Sequence, residues 1–170
     1  MAKLVVTALG LYYEKPAKMA LKNVLPDIKV KSTGFRGVLL AEVNGDAIRL
    51  AEQLSRKKAS DIGRIVPVIR EVESEFESIK ENAIKIALEH IAKNESFCFR
   101  LHKRGIHNLK MPTPQIEERI GGGIHLALEE KFGNKPEVDL EKPDISILAE
   151  VLGKRTMVGI IKNDWFNYRR

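Results

Sequence analysis

The chain has 170 residues, 44% of them hydrophobic and 31% charged, with a formal net charge of +6. That length and apolar content suffice for one larger domain or two small ones and exclude disordered and collagen-like classes. Cys98 is the only cysteine, which rules out an intramolecular disulfide and a cysteine-only zinc site and suits a reducing cytoplasm. In chain order, an apolar run from Leu4 to Leu9 opens the first unit. Ala17, Ala20, Leu21 and Val24 then recur at helical spacing behind Pro16, a residue suited to a first turn. Ile28 to Thr33 reads as a strand, Gly34-Phe35-Arg36-Gly37 as a turn, and Val38 to Val43 as a second strand. A helix follows with Ala47, Ile48, Ala51 and Leu54 on one side, and Ile62 to Val68 closes the unit as a strand. No run approaches the roughly 18 apolar residues of a membrane span, and the start has too short an apolar run for a signal peptide.

The order strand, helix, strand, strand, helix, strand predicts a ferredoxin-like arrangement over residues 1–72. A second unit is expected from Ser74, where Ser74-Glu75-Phe76-Glu77 has the form of a capping box ahead of a helix reaching about Lys93. Phe76, Ile79, Ala83, Ile86 and Ala87 mark its buried side. The glutamates gathered from Glu71 to Glu81 suit the positive end of that helix dipole and leave the rest of the chain more basic than its total. Thr113-Pro114 reads as an N-cap followed by a first-turn proline, with Ile116, Ile120, Ile124, Ala127 and Leu128 buried and Gly133 as the stop. Ile145 to Leu152 is apolar on both faces, as a central strand would be, and turns at Gly153-Lys154 into a strand from Thr156 to Ile161. The fold class expected is therefore α+β.

The strand between those two helices carries the functional signal. In Phe97 to His107, Phe97, Phe99 and Leu101 alternate to one side. Arg100 and His102 project from the other, and Lys103-Arg104-Gly105 ends the strand. No acidic residue occurs between Glu95 and Glu117, so this window is the one best suited to meet a polyanion. The plainer alternative is a solvated basic face, and for His102 and His107 polyanion contact and simple solubility stay equally open. Cys98 and His102 share a strand face about 13 Å apart at about 3.3 Å per residue, too far for a nucleophile and its base, and they match no metal-ligand spacing. Gly121-Gly122-Gly123 falls inside the second helix, where each glycine costs about 0.8 to 1 kcal/mol relative to Ala. Gly121 and Gly123 would flank the core side and Gly122 the far side with Gln115 and Arg119, which serves either tight packing or close approach of a phosphate or ribose.

Phe97 to Gly105 with His107, then Thr113 to Gly121, Val138-Asp139-Leu140 and Pro143-Asp144, resemble a THUMP domain. Phe35 to Leu40 and Ile62 to Val68 resemble the ferredoxin-like domain that precedes THUMP domains in tRNA-modifying proteins. The layout implied is 1–72 ferredoxin-like, 73–161 THUMP and 162–170 a tail in which Trp165, Phe166 and Tyr168 accompany Arg169 and Arg170. That tail is read either as a stacking or partner-binding peptide or as core packing by Trp165 with a frayed end. The resemblance is strongest to the stand-alone type, an adaptor that assists N4-acetylcytidine formation on tRNA. It implies a non-enzymatic tRNA-binding protein without cofactor or metal, which grips the acceptor stem and 3′ end and whose partner is a separate acetyltransferase. It also implies RNA contact at Arg100, His102, Lys103, Arg104, His107, Arg119 and Gly122, with Lys154, Arg155 and Arg36 as further positions. The competing reading is a regulatory module whose basic strand meets an acidic protein.

Overall fold

The computed structural model describes residues 1–9, 14–57 and 61–165. The chain divides into two compact units, Met1–Val68 joined by Trp165, and Ile69–Asp164. In the first, β1 (Ala2–Ala8), α1 (Glu14–Val24), β2 (Lys29–Ser32), β3 (Val38–Val43), α2 (Ala47–Lys57) and β4 (Ile62–Glu73) follow in the expected order. The strands are arranged β2-β3-β1-β4, and β1 pairs antiparallel with both β3 and β4. That is the ferredoxin-like arrangement. Leu4, Val5 and Val6 on β1 and Leu39 on β3 are inaccessible to water, as are Ala17 and Leu21 on α1 and Ala51 and Leu54 on α2 to within 1%. The β2–β3 turn needs its glycines, because Gly34 and Gly37 adopt φ of +83° and +70°. The carboxylate of Glu14 accepts the Gly37 N–H at 3.0 Å and anchors that turn to the first turn of α1. β4 runs five residues beyond the expected Val68, ending at Glu73.

The second unit contains α3 (Phe76–His90), β5 (Phe97–His102), α4 (Thr113–Phe132), β6 (Ile145–Leu152) and β7 (Arg155–Lys162). β6 lies between its neighbours, parallel to β5 and antiparallel to β7, which accounts for the burial of both of its faces. α3 offers Ile79, Ala83, Ile86 and Ala87, and α4 offers Ile116, Ile120, Ile124 and Leu128, all at 0% exposure. Two expected caps are placed differently. Glu75, not Ser74, is the N-cap of α3, and no side chain caps that end. Ser74 is drawn inward instead, where its hydroxyl shares a buried 2.8 Å hydrogen bond with Thr156 on β7. Thr113 is already helical, with Pro112 at the N-cap, so Pro114 takes the second helical position. α3 also stops three residues short of Lys93, and Gly133 ends α4 at φ +76° as expected.

The glycine triplet splits by role. A Cβ at Gly123 would lie 3.2 Å from Ile84 Cδ1 and 3.3 Å from Lys80 Cε, so this residue lets α4 approach α3 closely. Gly121, expected to share that task, meets nothing within 4 Å, and neither does Gly122. Lys162 closes β7, Asn163 and Asp164 are exposed and Trp165 is 1% exposed; Phe166 to Arg170 lie outside the described residues.

Removing one partner of the Ser74–Thr156 hydrogen bond strands a buried hydroxyl. Ser74→Ala and Thr156→Val should each destabilise by about 1 to 3 kcal/mol, while the double variant should recover much of that loss. Urea unfolding of the four proteins measures the coupling.

Candidate nucleic-acid interface

β5 and β6 run parallel with His102 opposite Glu150. Glu150 is a carboxylate at 0% exposure on a mostly apolar strand, and Arg104 and His102 of the basic strand lie beside it. Its Oε2 lies 2.7 Å from Arg104 Nη1, and its Oε1 lies 3.5 Å from His102 Nδ1. A buried carboxylate requires such partners, because the charge has lost its water. The exit of β5 is fastened on either side of this pair. The Gly153 N–H donates to the Arg104 carbonyl at 2.8 Å, and the Ser74 N–H donates to the Lys154 carbonyl at 2.9 Å. Lys103 Nζ donates to the Met111 carbonyl and so folds the following loop back on itself. Within that loop His107 Nδ1 accepts the Leu109 N–H at 3.1 Å, which leaves Nε2 as the protonated nitrogen of the neutral ring.

These bonds bring His107 and Asn108 beside Lys154 and Arg155 around a groove of about 450 Å³ that Glu73 and Glu75 also line. The groove offers an ammonium, a guanidinium, an imidazole N–H and an amide to an anion, and the two glutamate carboxylates in its lining oppose one. Arg155 also reaches Glu71, 3.9 Å from its carboxylate and 3.4 Å from its carbonyl. The Lys154 side chain is exposed and has no hydrogen-bond or ion-pair partner among the described residues.

The other expected contacts do not share that groove. The Arg100 Nη2 donates to the Leu140 carbonyl at 2.8 Å, and its Nη1 lies 3.8 Å from Glu117 Oε1. Glu117 in turn accepts the Leu101 N–H at 2.9 Å, tying the N-terminal part of α4 to β5. Arg119 and Gly122 are exposed on α4, and Arg119 has no partner among the described residues. Arg36 is exposed in the β2–β3 turn of the first unit. Beside Arg100 a second groove, of about 440 Å³, lies between α4 and the 138–140 loop. Asp139 shapes that loop by accepting the Glu141 and Lys142 N–H groups at 2.9 and 3.0 Å. The Lys142 and Glu141 bonds hold its carboxyl below the usual carboxylate range. Cys98 is buried, with its sulfur 3.4 Å from Ser146 Oγ.

The sequence reading missed Glu150, Glu117 and Asn108. An acid inside the apolar run Ile145 to Leu152 was the available signal for Glu150, since a charge there demands a cation nearby. Glu117 ends the acid-free window and was legible only as the edge of that window.

Comparison with known proteins places residues 73–161, more than half of the chain, within the THUMP domain model. A probable tRNA sulfurtransferase of Acetivibrio thermocellus is 33% identical over 97 residues, which are 55% of this chain and 23% of that protein. Among solved structures, TrmN from Thermus thermophilus matches with a TM-score of 0.64 at 19% identity, over 94% of this chain and 45% of that one. A 4-thiouridine synthetase crystallised with RNA and ATP matches with a TM-score of 0.59 at 19% identity, over 95% and 42%. The chain thus spans less than half the length of these three proteins, and the structural likeness is one of fold.

Arg104→Ala should leave Glu150 as a buried charge short of its closest partner and cost about 3 to 5 kcal/mol. Arg104→Ala/Glu150→Leu should recover most of it. Thermal or urea unfolding distinguishes this from a surface arginine, whose removal changes stability by less than about 0.5 kcal/mol.

Proposed function

The chain belongs to the THUMP domain family, and on that premise we propose that it binds tRNA and serves its modification. The observation that carries this reading is the convergence of the β5 exit and the β6–β7 turn. His107, Asn108, Lys154 and Arg155 come from two separate segments and line one groove, fixed by backbone bonds to Arg104 and Lys154. Donors held this way can meet phosphate oxygens without first losing the freedom of a loop. A-form RNA displays phosphates and 2′-hydroxyls more readily than base edges, so recognition here is by backbone shape, supplemented wherever a base is unstacked.

In this reading the chain is a binding module that presents the acceptor stem and 3′ end to a separate enzyme. The resemblance to the stand-alone adaptor makes that enzyme an RNA cytidine acetyltransferase forming N4-acetylcytidine. The sulfurtransferase relative, at 33% identity, favours a second assignment, in which the same module serves tRNA thiolation. Nucleoside mass spectrometry of tRNA from cells lacking the protein separates the two. Loss of N4-acetylcytidine supports the adaptor, whereas loss of 4-thiouridine with N4-acetylcytidine intact supports thiolation.

Binding itself is tested at Lys154 and Arg119, whose side chains have no partner among the described residues. Lys154→Ala and Arg119→Ala should leave the unfolding midpoint within error of the parent. Each should weaken tRNA binding, and each lost phosphate contact should reduce the slope of log affinity against log salt by about 0.7 to 0.9. An affinity that does not change with salt in the parent protein would refute the RNA-binding reading.

A further inference from the structure

We propose that the groove between α4 and the 138–140 loop is a pocket for one unstacked guanine base, separate from the phosphate-binding groove and resting on the RNA-binding reading above. At about 440 Å³ it falls within the range of about 300 to 1,000 Å³ typical of ligand sites. Its walls are apolar where a ring face would lie. Val138 and Leu140, 48% and 60% exposed, stand on one side and Pro114 on the other. Its floor is the backbone of Gly121 and Gly122, at neither of which a Cβ would meet any atom within 4 Å. Packing among the described residues therefore gives no reason for glycine at these two positions, although each weakens the helix interior. A planar ring lying against α4 supplies one, since a side chain at either position would stand between ring and helix.

The polar groups select the base. Glu117 is already committed to Leu101 and Arg100, so it adds no free charge to the groove. Glu118 also lines the groove, is exposed, and has no partner among the described residues. A carboxylate there repels phosphate and accepts hydrogen bonds from a base edge. Guanine alone among the four bases presents two adjacent donors, N1–H and N2–H, to the two carboxylate oxygens. Adenine and cytosine each present one amino group, and uracil one imino N–H. The Arg100 guanidinium, held at 2.8 Å by the Leu140 carbonyl, is 38% exposed and offers a planar surface for stacking. The walls are preformed, because the Arg100 bond and the Asp139 turn fix the 138–140 loop before any ligand arrives.

The test uses the full chain and four single-stranded tetranucleotides, UUGU, UUIU, UUAU and UUCU, where I is inosine, which lacks the N2 amino group. Affinities are measured by fluorescence anisotropy, and the amide signals of Gly121 and Gly122 are followed by NMR. UUGU should bind about tenfold more tightly than the other three, in line with the value of a bidentate contact, and should move both glycine amides. Glu118→Gln should abolish that preference while leaving the binding of UUAU unchanged. Gly122→Leu should raise the melting temperature, because it restores helix propensity in open space, and should still lower UUGU affinity about tenfold. Lys154→Ala should weaken all four oligonucleotides equally. Equal binding of all four with the glycine amides unmoved overturns the pocket and leaves RNA binding intact. Failure of the parent protein to bind any of them, or tRNA, overturns the RNA-binding reading itself.

Discussion

The buried carboxylate of Glu150 is the constraint on which the second unit's functional face depends. It sits at 0% exposure in the central strand β6, directly opposite His102 in the parallel register with β5. Such a charge is stable only with partners, and Arg104 at 2.7 Å supplies the main one. Meeting that requirement fixes where β5 ends, because Arg104 must turn inward one residue after Lys103. The Gly153 N–H then bonds the Arg104 carbonyl, which brings the β6–β7 turn alongside. Lys154 and His107 are neighbours as a consequence of this chain of bonds. The exposed cations of the groove are thus positioned by a cation that is not itself exposed.

This changes the meaning of the basic strand. Arg100, Lys103 and Arg104 lie in one short run of the sequence, yet each has a partner inside the chain. A guanidinium bound to a buried carboxylate still contributes to the surrounding potential, but it gives up hydrogen-bond donors that a phosphate would use. Charge reversal at Arg104 would place two carboxylates together in the interior. Loss of binding in such a variant would report a damaged fold as readily as a lost contact. Lys154 and Arg119 lack this ambiguity, since no described residue pairs with their charges.

The architecture was legible because periodicity reports burial. β3 at Val38–Val43 and β6 at Ile145–Leu152 have the bounds that their apolar patterns implied, and so does the stop of α4 at Gly133. Ser74 was misread for a physical reason. A serine two residues before a helical run satisfies the local capping pattern equally well whether its hydroxyl faces the helix or β7, and Thr156 is 82 residues away in sequence. The functional residues were legible in kind but not in arrangement. That positive charge gathers near residue 104 is a property of composition. Which cations are paired depends on Glu150, Glu117 and the Leu140 carbonyl, all brought close only by tertiary structure.

The glycine triplet shows how the two kinds of information combine. From sequence, three glycines in one helix admit either close packing or a bare surface, and periodicity cannot choose. In the fold both answers hold, at different positions. Gly123 faces Ile84 and Lys80 across the α3–α4 contact, where a methyl group would crowd both. Gly121 and Gly122 open onto the groove, where nothing in the described chain would meet a methyl group. Helix propensity alone would favour alanine at both by about 0.8 to 1 kcal/mol each. A residue that weakens its own helix and relieves no internal clash is best explained by what approaches it from outside, and the groove beside it is lined for a flat, hydrogen-bond-donating ligand rather than for a phosphate.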